Sequence, residues 1–256
     1  MILQFDNVTR RFGGLSAVKN VSFGVGENEI IGLIGPNGSG KTTCFNVITG
    51  IYPPSEGKVI FEGEDISGMP SYKIARRGIA RTFQISSIFP KLDAMTNVIT
   101  AHHCRLHSNL VSGLFNVGSV KAEETAAREN SAELLEFVGL GDKIYNEAGS
   151  LTAADQRRLM IAIAMATKPK LLMLDEPCAG MVEDERNALV QLIRKVRDNG
   201  IPVLLVEHHM KMVMQVCDRI VVLNLGEKIA EGLPEEIQNN EHVIEAYLGK
   251  GTARHA

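Results

Sequence analysis

Hydrophobic periodicity divides this chain into three stretches. The first third carries short apolar runs bounded by glycine and polar residues, the middle carries helical spacing, and the last third alternates between the two. Residues 2–8 and 21–25 read as strands joined by a polar turn through Gly13 and Gly14. Residues 29–34 read as a buried strand, followed by a glycine-rich turn and a helix that Gly50 closes. A turn over 53–57 leads to a strand at 58–61, a short helix at 72–77 and a strand at 79–84. From residue 85 to 165 strand-like runs disappear. Helices are expected over 95–106, 121–137 and 156–167, the last with Leu159, Ile163 and Ala166 on its apolar face, and a polar connection spans 108–119. Residues 171–174 and 202–206 are continuous apolar runs that end in acids or histidines. Buried parallel strands read this way, and they deliver polar side chains at their C-terminal tips. A helix over 183–199 ends at Gly200, strands follow at 220–223 and 228–230, and a tail helix covers 243–248. The pattern predicts an α/β core from 1–84 and 166–256, with a helical block inserted at 85–165.

The 256 residues suit one large domain able to bury a sizeable core. A net charge of −3 gives no pull toward nucleic acid, and basic residues cluster no further than pairs such as Arg76-Arg77 and Arg157-Arg158. Cys44, Cys104, Cys178 and Cys217 are widely spaced with no CxxC, which predicts packing cysteines in a reduced compartment. No stretch reaches the roughly 18 apolar residues of a membrane span, and the N-terminus lacks a signal-peptide pattern. Any membrane role is therefore expected to come through a partner.

The turn after the strand at 29–34 is the strongest chemical signal. It runs Gly35, Pro36, Asn37, Gly38, Ser39, Gly40, Lys41, Thr42, Thr43. Strand, glycine-rich turn, Lys-Thr and helix form the context of a phosphate-binding P-loop. Glycines let successive N–H groups turn toward one anion, and the helix N-terminus adds unpaired donors. In that role Lys41 reaches the β/γ-phosphates and the Thr42 hydroxyl sits on Mg²⁺. The glycine spacing does not fit a dinucleotide fingerprint. The expected ligands are ATP, or another nucleoside triphosphate, and Mg²⁺.

Four further candidates lie at predicted strand ends. Asp175 suits a Mg²⁺ ligand acting through water. Glu176, one residue on, suits a general base that polarises the attacking water. Gln84 can contact the metal or that water, and His208 can hydrogen-bond the γ-phosphate. Phe12 upstream of the P-loop suits either stacking on a nucleobase or edge packing, and the local sequence favours neither. His103 and His107 stand four apart on a predicted helix but lack a third ligand, so a solvated helix face is expected there. Met210, Met212 and Met214 are expected to pack a helix on the core.

Together these residues resemble the ATP-binding subunit of an ABC transporter over essentially the whole chain. Phe12 matches the family's base-stacking aromatic, Gly35 to Thr43 its Walker A motif and Gln84 its Q-loop. Residues 171–176 match the Walker B motif, 178–182 the D-loop and His208 the switch histidine. The resemblance implies a RecA-like P-loop core with an antiparallel β-subdomain and an inserted helical subdomain. It also implies ATP hydrolysis, Mg²⁺, and seating at the cytoplasmic face of a membrane. The implied partners are a second ATPase subunit, two permease subunits and, indirectly, a solute-binding protein, with no nucleic acid. The opening Phe12-Gly13-Gly14-Leu15, the run Gln156-Arg157-Arg158-Leu159, the segment from Glu207 to Met214 and the tail from Val243 to Gly249 resemble branched-chain amino acid importers. Ala179-Gly180-Met181 also resembles urea importers. Soluble, non-transport members of the superfamily usually carry two cassettes or long coiled-coil inserts, and neither is seen.

The chain departs from the family at the signature, Leu-Ser-x-Gly-Gln, which here is Leu151, Thr152, Ala153, Ala154, Asp155. In the family this segment binds the γ-phosphate held by a second subunit. Ala154 adds a methyl group and Asp155 a negative charge. At roughly 8 Å and an effective dielectric near 20, repulsion is on the order of 2 kcal/mol per phosphate charge. The same residues also form a helix-capping pattern, Thr152-x-x-Asp155. Val182 stands where the D-loop usually has Asp or Asn. The expectation is an asymmetric heterodimer in which this chain's own P-loop works and its signature is weakened.

Overall fold

The computed structural model describes residues 1–82, 88–102 and 117–248. The chain opens with β1 (Leu3–Phe12) and β2 (Leu15–Val25), which pair antiparallel around Gly13. Both strands run longer than the apolar pattern predicts. Their register slips three times between Phe5 and Arg11, and Asn7 and Asn20 both adopt left-handed backbone (φ 48). Those irregularities break the alternation while the pairing continues. Strands β4 (Glu56–Phe61) and β5 (Glu64–Asp65) extend the hairpin into a four-stranded antiparallel sheet, in the order β2-β1-β4-β5.

The second sheet has six strands. From one edge they are β10 (Glu227–Gly232), β9 (Arg219–Asn224), β3 (Ile30–Ile34), β8 (Val203–Val206), β7 (Leu171–Asp175) and β6 (Ile79–Thr82). All neighbours from β9 to β6 are parallel, and β10 is an antiparallel edge. Successive residues of the central strands bury into two different cores. Ile31, Leu33, Met173, Leu204 and Val221 face the antiparallel sheet, and helix α1 (Lys41–Ile48) inserts Cys44, Phe45 and Ile48 into that layer. Ile30, Ile34, Leu172, Leu174, Val203 and Leu205 face the opposite core. Strands buried on both faces show no polar alternation, which is why these segments read as unbroken apolar runs. Full burial of a side chain such as Phe5, Phe45 or Phe61 is worth about 1.5–3 kcal/mol against leaving it exposed.

Helix α2 (Ser71–Arg77) precedes β6. Between β6 and β7 the described elements are all helical: α3 (Ala94–His102), α4 (Val117–Phe137), α5 (Ala153–Ala166) and two short 3-10 turns. These three helices pack on one another. Helix α6 (Glu183–Asp198) covers the second core through Leu189, Leu192, Ile193 and Val196, and α7 (Met210–Val216) covers it through Met212 and Val213. Helices α8 (Pro234–Gln238) and α9 (Glu241–Leu248) close the chain. The sequence pattern does not predict α8, a five-residue helix that buries one side chain, Ile237. Gln84, His103, His107, Cys104 and most of the 108–119 connection lie outside the described residues.

Candidate active site

The glycines of the P-loop have a physical reason. Gly35 sits at φ 151, and a Cβ there would lie 2.1 Å from the Leu223 carbonyl oxygen and 2.6 Å from Ser39 Oγ. Gly40 adopts φ 105 immediately before α1, and its Cβ would meet the Ala17 carbonyl oxygen at 2.6 Å. Only glycine fits both backbone shape and space at these two positions. Pro36, Asn37 and Gly38 form the outer turn, with Asn37 and Gly38 exposed, while Ser39 is buried. Lys41, Thr42 and Thr43 occupy the first turn of α1, whose leading N–H groups have no partner within the helix.

Lys41 is 5% exposed. Its Nζ donates to the Gly35 carbonyl at 2.7 Å and the Pro36 carbonyl at 2.9 Å, so the ammonium lies in the fold of the loop. Burial lowers its pKa, and the nearby charges of Glu176 and Asp175 act in the opposite direction.

The apolar run of β7 delivers Asp175 and Glu176 beside this loop. Asp175 is 4% exposed, and its Oδ2 accepts from Arg81 Nη2 at 2.6 Å. Arg81 comes from the neighbouring strand β6, and its Nη1 donates to Asn46 Oδ1 at 2.7 Å. The second carboxylate oxygen, Asp175 Oδ1, is buried and has no hydrogen-bond partner among the described residues. Buried carboxylate oxygens are rarely left so, because the desolvation is uncompensated. A hard cation with its waters is the partner such an oxygen suits, so the site fits Mg²⁺, with the exposed Thr42 hydroxyl as the second candidate ligand.

Glu176 has a left-handed backbone (φ 49), which for a residue with a Cβ stores on the order of 1–3 kcal/mol. Its N–H donates to the Val206 carbonyl at 2.8 Å, pinning the strained residue to β8. The side chain meets His208, with Oε1 and Nε2 2.6 Å apart. Both groups remain open to solvent, at 25% and 43% exposure. The arrangement sets a carboxylate in contact with a histidine, a buried lysine, and a buried oxygen without a partner among the described residues beside one glycine-rich loop. That donor and acceptor set suits hydrolysis of a phosphoanhydride.

Phe12 is partly exposed and packs edge-on against Tyr52, with ring centroids 5.0 Å apart, while the Arg10 guanidinium lies over both rings. Tyr52, Arg10, Arg81 and Asn46 were not singled out from the sequence. Arg81 and Tyr52 carry no local motif, and their partners, Asp175 and Phe12, come near only once the sheets pack. Glu207 is visible in the sequence as the end of the run at 202–206, with no sign of its partner Cys178.

The signature segment differs from expectation in orientation. Thr152 caps α5, and its Oγ accepts from the Asp155 N–H at 3.1 Å. Thr152 and Ala153 are exposed, whereas Ala154 is 4% exposed and packs its methyl into the core. Asp155 is 5% exposed, with Lys143 Nζ 2.7 Å from Oδ2 and Arg158 Nη1 3.7 Å from Oδ1. The expected obstruction by the methyl and repulsion by the carboxylate therefore lose their basis: one group is turned inward and the other is matched by two cations. Val182 is 63% exposed at the start of α6, and its N–H donates to Glu185 Oε2 at 3.0 Å.

A P-loop on a mostly parallel sheet, an acid pair at the tip of β7 and a histidine at the tip of β8 define the ATP-binding cassette class. The family profile described as ABC transporter matches residues 18–179, and the chain belongs to that family as an ATP-hydrolysing subunit. A second profile, branched-chain amino acid ATP-binding cassette transporter, matches residues 227–253. The chain is 46% identical to the high-affinity branched-chain amino acid transport ATP-binding protein BraF of Pseudomonas aeruginosa, over 97% of this chain and 98% of that one. It is 43% identical to LivG of Escherichia coli over the same shares. Its fold matches a solved ATP-binding cassette of an ABC transporter in the ADP conformation, with TM-score 0.85, 30% identity, and coverage of 97% of this chain and 99% of that one. The expected P-loop α/β fold is thus found. Among the described residues no helix is long and apolar enough to cross a membrane.

Proposed function

We propose that this chain powers import of branched-chain amino acids by hydrolysing ATP at the cytoplasmic face of a membrane permease. The observation that carries the reading is the convergence of Lys41, Asp175, Glu176 and His208, with Glu176 and His208 in contact at 2.6 Å. Lys41 and the leading N–H groups of α1 hold the β- and γ-phosphates of ATP. Thr42 and Asp175 Oδ1 would hold Mg²⁺, which would supply positive charge against those phosphates. Glu176 accepts a proton from a water whose oxygen bonds the γ-phosphorus as the bond to the β,γ-bridging oxygen breaks. The products are ADP and phosphate. His208 orients Glu176 and would contact the γ-phosphate, Phe12 would lie against the base, and the sequence alone assigns Gln84 to the metal or the water.

The exposed side of the Glu176–His208 pair is covered, in this reading, by the signature of a second ATPase subunit. Val182, exposed where the family usually has Asp or Asn, favours a different chain in that place, hence a heterodimer; the exposed Thr152 and Ala153 face the partner's P-loop, with the buried Ala154 and Asp155 beneath them. Two permease subunits complete the assembly, and a solute-binding protein delivers the solute. A groove of about 460 Å³ between α2, β6 and α5, lined by Tyr72, Ile74, Ile163 and Ala164, offers the permease an apolar seat. Arg81 lines the same groove and binds Asp175, which places the seat one side chain from the site. The match of residues 227–253 and the names of the relatives favour branched-chain solutes over urea.

Reconstitution with the permease and second ATPase subunit in vesicles tests this. ATP-dependent uptake of labelled leucine, isoleucine and valine is expected, and Glu176→Gln should abolish hydrolysis and uptake while ATP still binds. Uptake of urea in place of leucine overturns the solute, and undiminished hydrolysis by Glu176→Gln overturns the site.

A further inference from the structure

Glu207 is a carboxylate with 3% exposure that the hydrolytic reading leaves without a role. It lies directly after β8, between the apolar run that ends at Val206 and His208. One oxygen, Oε1, accepts from the Cys178 N–H at 2.8 Å and from Cys178 Sγ at 2.8 Å. The other, Oε2, accepts from the N–H of His208 at 2.9 Å and of His209 at 3.3 Å. A buried carboxylate is tolerated only when its lone pairs are matched, and here four donors match it.

These donors belong to two segments that carry the two halves of the Glu176–His208 contact. Cys178 follows Glu176 by two residues, and the Ala179 N–H donates back to the Glu176 carbonyl at 3.3 Å. His208 follows Glu207 directly. Beside the Glu176 N–H to Val206 bond and the Glu176–His208 contact itself, Glu207 ties the turn after β7 to the turn after β8. We propose that Glu207 is a positioning residue: it braces both turns so that Glu176 and His208 are held in contact, and it transmits displacement of the 178–182 segment to His208. Any movement of Cys178 pulls on Oε1, and the rigid carboxylate passes it to the His208 and His209 amides on Oε2. The inference rests on the hydrolytic reading of Glu176 and His208 given above.

Glu207→Gln keeps the shape but places an NH₂ group against backbone N–H donors on one side. In the assembled transporter, kcat should fall about tenfold or more while the KM for ATP stays within about twofold, since the brace acts on the reacting geometry and not on nucleotide binding. In a His208→Ala background the same substitution should change kcat by less than about twofold, because the residue it acts through is gone. Glu207→Asp, too short to reach both turns, should reproduce the loss and its dependence on His208, so the comparison stands even where the Gln variant unfolds. Equal losses with and without His208, or a loss confined to KM, overturn the proposal. If His208→Ala and Glu176→Gln alone leave hydrolysis intact, the hydrolytic reading fails. If they lower it severely but measurably and Glu207→Gln does not lower it, the brace alone fails.

Discussion

Glu176 and His208, 32 residues apart in sequence, meet at 2.6 Å across the tips of β7 and β8. The contact joins a carboxylate on strained backbone to a histidine just past the next strand, and both are partly open to solvent. A carboxylate held this way is aimed at one position beside the P-loop. Glu176→Gln removes its basicity with little change in shape. The expected loss in kcat for the assembled transporter is about 10²-fold or more, in the range of a positioned general base. ATP binding, followed by a fluorescent analogue, should stay within a few-fold. If the proposed heterodimer is asymmetric, the equivalent change in the partner chain should be much milder, and equal damage from it rules the asymmetry out.

Arg81 and Asp175 form an ion pair in which the two side chains are 6% and 4% exposed. Removing one member leaves a buried charge without its partner, at a cost of about 3–5 kcal/mol. Arg81→Met should therefore shift the denaturant midpoint of the nucleotide-free protein strongly downward. Arg81→Lys keeps a charge but cannot bridge Asp175 and Asn46 in the same fork, so an intermediate loss is expected. An unshifted midpoint for Arg81→Met would rule out the pair as a structural brace.

Burial raises the thiol pKa of Cys44, Cys178 and Cys217, and in Cys178 the bond to Glu207 adds to the rise. At pH 8 these thiols carry less thiolate than free cysteine, so iodoacetamide should label them in denaturant and spare them in the native protein, as read by peptide mass spectrometry. The linkage has a definite sign. The folded state keeps protons that the unfolded state releases, so this contribution to stability is complete below about pH 8.5 and declines as pH rises above it. Rapid native labelling of Cys178 would show that the turn after β7 opens readily.

The P-loop was legible because its requirement is local: glycines where Cβ atoms would strike Leu223 and Ala17, then Lys-Thr at a helix start. Asp175, Glu176 and His208 were legible because strands buried on both faces leave apolar runs whose first polar residues mark the tips. Arg81 was not, since its partner lies 94 residues away and is set by strand order; Glu207 was legible as a strand tip, but its bond to Cys178, 29 residues away, was not. The strands β1 and β2 were underestimated because bulges at Asn7 and Asn20 disturb the alternation that marks a strand. The direction of Asp155 was misjudged for a related reason. Its partner Lys143 belongs to a separate turn, and no spacing rule links the two.

That orientation gives the last prediction. With Asp155 buried against Lys143 and Arg158, its charge is answered before any phosphate of a second subunit comes near. Proximity to Asp155 raises the Lys143 pKa, so this cation is present across the physiological range. Asp155→Gln should then alter ATP turnover of the assembled transporter by less than about threefold, because the repulsion it relieves is already cancelled. Lys143→Met should be more damaging, since it leaves the carboxylate with only the longer contact to Arg158. Adding Asp155→Gln to Lys143→Met should restore most of the loss, a coupling that two independent structural defects do not produce. A large gain from Asp155→Gln alone would mean that the carboxylate faces the phosphate after all, and that this chain's signature is the weak half of the pair.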